Sequence, residues 1–484
     1  MRTNRFHMRM AGLILLAAAP ELWSAVAGHT HRFEPCRIGA EGASVHLPAQ
    51  CLSVPVPEDR AHPGGRQIQL RVAVLKALTE KPAADPLFFI AGGPGQAATD
   101  AYVEEAAAFE RLRYTRDIVL VDQRGTGGSN RLDCAPAPGD DYARASADCL
   151  KHLPGDPRFY TTSVAVQDLD AVRAALGYTR IDLYGISYGT RVALEYLRRF
   201  PARTRALVLD GVVPADRALG PEVSLDAQRA LGLIFSRCAA DAACHKAFPD
   251  PADEFHALQQ DLGAHPVTVT LRDPLTGAPR QEKLGWNDVA GAVRLMSYQS
   301  ETASLLPLFI HQAAGGDYGP LMGAALMFTR EIQGGFAQGM QAAVLCTEDA
   351  PYYHDDPGTT AVMRDTYLGG LTMDELLKSC AAWPRGVISQ DFKQPVRSDK
   401  PVLLLSGEDD PITPPADAEH AAMTLSNSLS LTVPGQGHGN AFRGCVPRLM
   451  ADFIDAASVK GLDVSCIKDI KPFPFFVDFT GPAP

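Results

Sequence analysis

The chain has 484 residues, of which 46% are hydrophobic and 21% are charged, and its formal net charge is −11 at pH 7. This composition is ordinary for a globular protein, and the length allows two or three domains or one domain with a large insertion. The acidity argues against a nucleic-acid partner, because a chain of this charge repels phosphates.

The first 27 residues are typical of a secretory signal peptide. Three arginines give the segment a basic start, and Met10–Ala19 is a short apolar stretch. Ala25-Val26-Ala27 then provides the small-x-small pattern that signal peptidase recognises. The apolar stretch is too short to span a bilayer comfortably. We therefore expect residues 28–484 to be exported, to the periplasm or the medium, without a membrane anchor.

All ten cysteines follow this segment, and an even number in an exported chain predicts disulfides. Sequence alone does not fix the connectivity, but the cysteines fall into five near-neighbour couples. None has the C-x-x-C spacing of a redox or zinc site, so no metal is predicted. The predicted bridges are Cys36–Cys51, Cys134–Cys149, Cys238–Cys244, Cys346–Cys380 and Cys445–Cys466.

Strand and helix patterns alternate through the first part of the exported chain. Short apolar runs bounded by glycine and proline are typical of strands buried on both faces. Strands are predicted at Gln67–Lys76, Pro86–Ala91, Asp117–Val121, Ile181–Tyr184 and Ala206–Leu209, and helices at Ser163–Leu176 and Thr190–Phe200. This alternation predicts an α/β fold, with a mostly parallel central sheet flanked by helices.

The alternation stops between residues 214 and 398. Helical patterns dominate there, and Val267–Leu271 is the one strand signature. Strand patterns return at Pro401–Ser406 and Leu429–Val433. The middle segment is therefore interpreted as an inserted, mainly helical cap.

The predicted organisation is one sheet domain interrupted by this cap. Residues 28–213 form its first part, and residues 399–484 form its second part with the C-terminal tail. The tail, Lys471–Pro484, is rich in proline and phenylalanine and is expected to cross the surface as an irregular strap.

Gly185-Ile186-Ser187-Tyr188-Gly189 is a G-x-S-x-G sequence between a predicted strand and a predicted helix. In this context it is typical of a nucleophile elbow, a turn so tight that it exposes the serine hydroxyl above the sheet. The start of the helix also directs backbone N–H groups at developing negative charge. A turn without a catalytic role is the weaker alternative, and Ser187 is the predicted nucleophile.

A serine nucleophile needs a base and an orienting acid, and this type of fold places them later, in the order acid then histidine. His438 lies between two glycines that let its backbone pass close to a site. Asp410 is the predicted acid because Pro411 fixes the turn after it, and Asp409 is the alternative. Thr413 is expected to form a hydrogen bond within the same loop or to cap a helix.

Two backbone N–H groups are needed to stabilise an oxyanion. The first is assigned to Tyr188, directly after the nucleophile. The second is assigned to Gly93 in the Gly-Gly-Pro-Gly loop, for which a simple turn is the alternative.

The loop that begins Asp122-Gln123-Arg124 lacks phosphate-loop and dinucleotide spacing, so no cofactor is predicted. It is expected to support the site from below, with Asp122 paired to Arg124.

These motifs together resemble the α/β-hydrolase superfamily, and within it the prolyl iminopeptidases and secreted tripeptidyl aminopeptidases. The motifs that carry the resemblance are Gly92–Gly95, Asp122–Gly127, Gly185–Thr190, Gly407-x-x-Asp410–Pro414 and Gly437–Gly439, of which the last two fit the tripeptidyl branch better. Ala91 stands where iminopeptidases usually carry histidine, which weakens a transfer of proline specificity.

The resemblance implies an α/β-hydrolase fold and release of short peptides or single residues from the free N-terminus of a peptide. It further implies that carboxylates on the cap hold the α-ammonium group of the substrate. Glu348 and Asp349 lie in the corresponding stretch and are candidate amine anchors. The alternative is a solvated acidic turn beside a disulfide.

Two other functions compete with a peptidase that acts on free N-termini. A carboxylesterase uses the same three catalytic residues with an apolar pocket. A secreted binding protein on an inactive hydrolase scaffold is less favoured, because Ser187, Asp410 and His438 are all present. The expected partners are peptide substrates, with neither nucleic acid nor a membrane.

Overall fold

The computed structural model describes residues 32–134, 142–220, 222–273, 275–353 and 357–483. The predicted signal peptide, residues 1–27, lies outside the described residues. In the part of the chain that is described, no helix is both long and apolar enough to cross a membrane.

A nine-stranded sheet forms the centre of the molecule. Its strands are β1 (Glu34–Ile38), β2 (Leu47–Pro57), β3 (Gln67–Leu75), β4 (Leu87–Ile90), β5 (Ile118–Val121), β6 (Ile181–Ile186), β7 (Thr204–Asp210), β10 (Val402–Gly407) and β11 (Ser428–Val433). Their order is β1-β2-β3-β5-β4-β6-β7-β10-β11. The pairs from β1 to β5 are antiparallel, and those from β5 through to β11 are parallel. The predicted mostly parallel sheet is confirmed.

The sequence patterns did not predict β1 and β2, because neither is a continuous apolar run. β2 contains three prolines, and Pro55 and Pro57 lie beyond Cys51, the last residue that pairs with β1. That end of β2 is therefore an edge of the sheet, where a strand tolerates residues without a backbone N–H.

Helices cover both faces of the sheet. They are α1 (Ala98–Glu105), α2 (Glu110–Thr115), α3 (Tyr142–Leu150), α4 (Thr162–Ala175), α5 (Tyr188–Arg199), α16 (Pro415–Ala422) and α17 (Val446–Ala456). Neighbouring residues of β4 show the two layers: Phe88 packs in a core with α4 and α5, and Phe89 packs in a second core with α1 and α17. Strands buried on both faces explain the continuous apolar runs that predicted them.

The chain between β7 and β10 is mainly helical. It contains α6 (Val223–Ala240), α7 (Ala242–Ala247), α8 (Pro251–Ala264), α9 (Trp286–Met296), α10 (Ser300–Ala303), α11 (Leu306–Ala314), α12 (Gly319–Gly335), α13 (Gln338–Glu348), α14 (Pro357–Arg364) and α15 (Leu371–Cys380), with a hairpin of β8 (Val267–Arg272) and β9 (Pro279–Leu284). Many of these elements share an apolar core of their own, whereas α13 packs into a core of the sheet. The division of the chain at residues 214 and 398 stays a prediction.

The C-terminal tail is more regular than expected. β12 (Phe476–Asp478) and β13 (Gly481–Pro482) form a small antiparallel hairpin, so the predicted irregular strap is wrong for this part. Phe475 and Phe476 pack against apolar residues of the inserted segment. This burial of aromatic side chains gives the tail a reason to fold.

All five predicted disulfides are confirmed. The bridged Cα atoms lie 5.1 to 6.4 Å apart, within the normal range for disulfides. No free cysteine remains among the described residues.

Candidate active site

Ser187 lies on a tight turn between β6 and α5. Its φ of 56° and ψ of −126° are rare for a residue with a side chain and typical of a nucleophile elbow. A Cβ atom on Gly185 would lie 2.4 Å from the carbonyl oxygen of Gly189, and one on Gly189 would lie 2.4 Å from that of Ile90. Both flanking glycines are therefore required by the turn. Tyr188 is the first residue of α5, so its N–H has no acceptor within the helix.

Asp410 and His438 meet in the loops that follow β10 and β11. His438 Nδ1 lies 2.8 Å from Asp410 Oδ2, and both side chains are buried. Asp410 Oδ1 accepts the N–H groups of Ile412 (3.0 Å) and Thr413 (2.9 Å), and Thr413 Oγ1 donates to Oδ2 (2.8 Å). The carboxylate can therefore hold the imidazole in one orientation, with Nε2 left for another partner.

The charges of this pair follow from its surroundings. Burial opposes ionisation of Asp410, but His438 and the backbone donors hold its pKa below the usual value. Burial alone would lower the pKa of His438, whereas the charge of Asp410 raises it above the usual value. The pair therefore favours an ionised carboxylate beside an imidazole that readily accepts a proton.

Asp409, the alternative acid, does not contact the imidazole and instead forms an ion pair with Arg237 of α6. The neighbouring Glu408 accepts the Gly435 N–H at 2.8 Å. Of the three consecutive acids, Asp410 is the one that reaches His438.

The loop of His438 packs against the turn of Ser187. The Ser187 N–H donates to the carbonyl oxygen of Asp210 at 2.8 Å, and a Cβ atom on the next residue, Gly211, would lie 2.8 Å from His438 Cε1. A Cβ atom on Gly439 would lie 3.1 Å from Ile186 Cδ1. The Ser187 hydroxyl makes no hydrogen bond to described residues, and such contacts often tighten only when substrate binds. The two loops nevertheless bring the predicted nucleophile and base to one place.

The Gly-Gly-Pro-Gly loop borders the same turn. A Cβ atom on Gly92 would lie 3.1 Å from Ser187 Cβ. Gly93 has a φ of 104°, a conformation that favours glycine. The segment between α12 and α13 covers this loop, because the Ala337 N–H donates to the Gly95 carbonyl at 2.9 Å and the Phe336 ring packs against Gly93.

Glu348, the last residue of α13, is fully buried below the elbow. Its carboxylate accepts the N–H (2.7 Å) and the hydroxyl (2.8 Å) of Thr162, and that hydroxyl lies 2.7 Å from the Tyr188 hydroxyl. Burial raises the pKa of Glu348 to about 7. The alternative of a solvated acidic turn is therefore wrong for Glu348.

Asp349 is also fully buried, but its charge is already matched. Arg191 of α5 donates to both of its oxygens, at 2.9 and 3.0 Å, and the Leu219 N–H donates at 2.9 Å. Lys393 Nζ lies 3.5 Å away. Of the two predicted amine anchors, Asp349 is thus occupied by a bidentate ion pair, while Arg191 approaches Glu348 only to 3.7 Å.

The predicted pairing of Asp122 with Arg124 is wrong. Arg124 forms a bidentate ion pair with Asp168 of α4, at 2.6 and 2.7 Å, and Asp122 accepts hydrogen bonds from Thr99 and from the Gly128 N–H. Adjacent opposite charges in a loop need not pair, because the turn points the two side chains in different directions. The loop contacts the elbow through Gln123, whose amide donates to the Tyr188 hydroxyl at 3.0 Å.

Sequence reasoning missed the residues of the inserted segment that hold these loops. The carbonyl oxygen of Tyr298 accepts the His438 N–H at 2.7 Å, and Gln299 Nε2 donates to the His438 carbonyl at 3.0 Å. Arg229 of α6 donates to the carbonyls of Glu408 and Asp410, each at 2.8 Å. No motif marks these residues, since tertiary packing alone brings them to the site.

The family model for the α/β-hydrolase fold matches residues 85–444, most of the chain. The chain belongs to the α/β-hydrolase family. This match spans the elbow, the acid loop, the histidine loop and the inserted segment. It confirms the family that the sequence motifs predicted.

Several relatives are similar over most of the chain. Serine protease Hip1 of Mycobacterium tuberculosis is 24% identical over 95% of this chain and 94% of its own length. A tripeptidyl aminopeptidase of Streptomyces lividans is 27% identical over 88% of this chain and 85% of its own length. Carboxylesterase B of M. tuberculosis is 29% identical over 87% of both chains. Together with the fold, these similarities identify this α/β-hydrolase as a serine hydrolase.

Proposed function

We propose that the protein is an exported serine exopeptidase that releases short peptides or single residues from the free N-terminus of peptides. Its proposed catalytic residues are Ser187, His438 and Asp410, and the N–H groups of Gly93 and Tyr188 are the proposed oxyanion donors. The observation that carries the peptidase proposal is the buried carboxylate of Glu348, linked through Thr162 to the residue directly after Ser187.

The proposed mechanism is acyl transfer through a covalent intermediate. His438 takes the Ser187 proton as the hydroxyl oxygen attacks the scissile carbonyl, and the two N–H groups bind the resulting oxyanion. His438 then donates this proton to the departing amine, which breaks the peptide bond. Water, deprotonated by the same ring, releases the acyl group from Ser187.

Recognition of a free N-terminus requires a negative charge at a fixed distance from the nucleophile. Glu348 and Asp349 are both proposed to supply it, and Glu348 is the better placed of the two. Its hydrogen-bond donors come from Thr162 and are neutral, whereas Asp349 is held by Arg191. An ammonium group that enters beside Glu348 would favour the ionised form of this carboxylate.

Export is supported by the disulfides as well as by the predicted signal peptide. Five bridges are typical of proteins that fold in an oxidising compartment such as the periplasm or the extracellular medium. The similarity to the tripeptidyl aminopeptidase and to Hip1 supports peptide substrates.

A carboxylesterase is the second candidate, and the similarity to carboxylesterase B favours it. The two functions separate on matched substrates. A peptidase of the proposed kind hydrolyses aminoacyl or tripeptidyl arylamides and loses this activity when the amine is acetylated. Turnover of short acyl esters without any effect of a free amine would instead support the esterase.

A further inference from the structure

A cation without an ion-pair partner lies close to the histidine loop. Arg294 of α9 is half-buried, and among the described residues it forms no ion pair. Its Nη2 donates to the Tyr298 hydroxyl at 2.8 Å, and its guanidinium lies 5.5 Å from the centre of the Tyr298 ring. Its Nε is buried and has no acceptor. A buried guanidinium N–H without a protein acceptor is unfavourable unless water or a ligand supplies one.

A second unsatisfied group lies near Arg294. Tyr367 is only 3% exposed, and its hydroxyl has no hydrogen-bond partner in the described part of the chain. The Tyr367 carbonyl anchors α9 by accepting the Trp286 indole N–H at 2.9 Å. Tyr367 packs in the same apolar core as Val289 and Val293 of α9, the helix that carries Arg294. Burial raises the pKa of the Tyr367 hydroxyl, and the charge of Arg294 opposes this increase. The Arg294 Nε and the Tyr367 hydroxyl are therefore two buried donors without an acceptor among the described residues.

This region adjoins the place where a leaving group must lie. The Tyr298 ring meets the His438 ring edge to face, with centroids 5.2 Å apart. The charge of Arg294 also acts on His438, where it opposes the increase in pKa that Asp410 causes. In the proposed mechanism His438 passes its proton to the departing amine, so the residue that follows the scissile bond lies beside this ring.

We propose that Arg294, together with the hydroxyls of Tyr298 and Tyr367, binds a carboxylate on the residue that directly follows the scissile bond. This inference rests on the proposed peptidase function and specifies its substrate. A carboxylate supplies two acceptor oxygens that the fork of Nε and Nη2 fits, and its remaining lone pairs can accept from the two tyrosine hydroxyls. The carboxylate can be the C-terminal α-carboxylate of a single leaving residue or the side chain of aspartate or glutamate.

Two pairs of peptides distinguish these sources. All four carry the same N-terminal part, namely the aminoacyl or tripeptidyl group that the wild-type enzyme releases fastest from an arylamide. In the first pair the leaving residue is alanine with a free carboxylate or a carboxamide. In the second pair it is aspartic acid amide or asparagine amide.

For the wild-type enzyme we expect kcat/KM to be about 10-fold or more higher for the carboxylate in at least one pair, chiefly through KM, as for a charged hydrogen-bonded contact. A preference in the first pair identifies the α-carboxylate, and one in the second identifies the acidic side chain. The acidity of the protein acts in the opposite sense, because it repels anionic peptides.

Arg294→Gln should bring this ratio close to one, and Arg294→Lys should restore part of it. Arg272→Gln, at an exposed arginine of β8, is the matched control and should keep the wild-type ratio. Equal kcat/KM values within both pairs for the wild-type enzyme would overturn this inference while the exopeptidase proposal stands, and that comparison needs no variant to fold. Absence of turnover of every arylamide and peptide would overturn the proposed function and this inference with it.

Discussion

Two fully buried carboxylates in the candidate site have pKa values that are shifted in opposite directions. Asp410, in the loop after β10, receives two backbone N–H groups, the Thr413 hydroxyl and His438, and its pKa lies below the usual value. Among the described residues, Glu348 accepts hydrogen bonds only from the N–H and the hydroxyl of Thr162, Arg191 approaches it to 3.7 Å, and burial raises its pKa to about 7. Equal burial therefore gives opposite results, because the number and charge of the donors decide which form is stable.

Their positions in the fold contribute to this difference. Glu348 ends α13, where the partial negative charge of the helix terminus disfavours a carboxylate. Asp410 lies in a loop whose N–H groups point at its oxygens. Asp410 is suited to stay ionised beside His438 and to stabilise the imidazolium that forms during the reaction, whereas Glu348 is suited to gain its charge when an ammonium group arrives.

The largest effect is expected from replacing Asp410, the carboxylate with the lowered pKa, with its neighbour Asp409 replaced as a control. Asp410→Asn should lower kcat by about 10⁴-fold, because an amide stabilises the wrong tautomer of His438 and cannot stabilise the imidazolium. Asp409→Asn is the matched control, since Asp409 pairs with Arg237 instead. Arylamide hydrolysis and thermal unfolding of both variants are the measurements. Similar losses of kcat in the two variants would contradict the assignment of Asp410.

Replacement of the second carboxylate should change recognition more than chemistry. Glu348→Gln should raise KM for substrates with a free amine by about 10- to 100-fold, as for the loss of a charge-assisted hydrogen bond. The preference for free over acetylated substrates should fall by the same factor. Glu419→Gln, at an exposed residue of α16, should retain both values. An unchanged preference in Glu348→Gln would exclude this carboxylate as the amine anchor.

The pH profile offers a smaller effect that involves both carboxylates. His438 must be neutral to act as a base, and Asp410 raises its pKa, so activity should fall on the acid side with a midpoint above 6.5. Glu348 must be ionised to bind an amine, which adds a second protonation near pH 7. The logarithm of kcat/KM for free-amine substrates should therefore approach a slope of two at low pH. Glu348→Gln should reduce this slope to one, and an unchanged slope would contradict the role of Glu348.

The same titration predicts a change in stability. The pKa of Glu348 is about 7 in the folded protein against a usual 4.5, so the folded state binds this proton more tightly than the unfolded state. The wild-type protein should therefore lose stability relative to Glu348→Gln as the pH rises from about 4.5 to about 7. Thermal unfolding at several pH values measures this difference. A difference that stays constant, or that reverses, would contradict the raised pKa.

The predictable parts of the site are those that local sequence determines. The elbow needs Gly185 and Gly189 because a Cβ atom would clash there, and His438 follows β11 after a short loop. Contacts that depend on distant packing were not predicted. Arg124 pairs with Asp168 rather than its neighbour, and Tyr298 reaches His438 from a helical segment whose sequence carries no motif.

The burial of Glu348 and Asp349 also depends on distant packing and could not be predicted from local sequence. Charged side chains are usually solvated, so sequence could not distinguish a surface turn at Glu348 and Asp349 from a buried cluster. Arg191 neutralises the cluster by donating to both oxygens of Asp349. It lies on α5, the helix that begins at the elbow, and is therefore distant from Asp349 in the sequence.

Ser187, activated by His438 and Asp410, is the proposed nucleophile. Reaction with a fluorophosphonate probe, followed by peptide mapping with mass spectrometry, tests this assignment most directly. We predict a single adduct on Ser187, lost in a folded Ser187→Ala variant and retained in Ser53→Ala, where the serine is exposed on β2. An adduct on another serine, or none on the wild-type protein, would contradict the account.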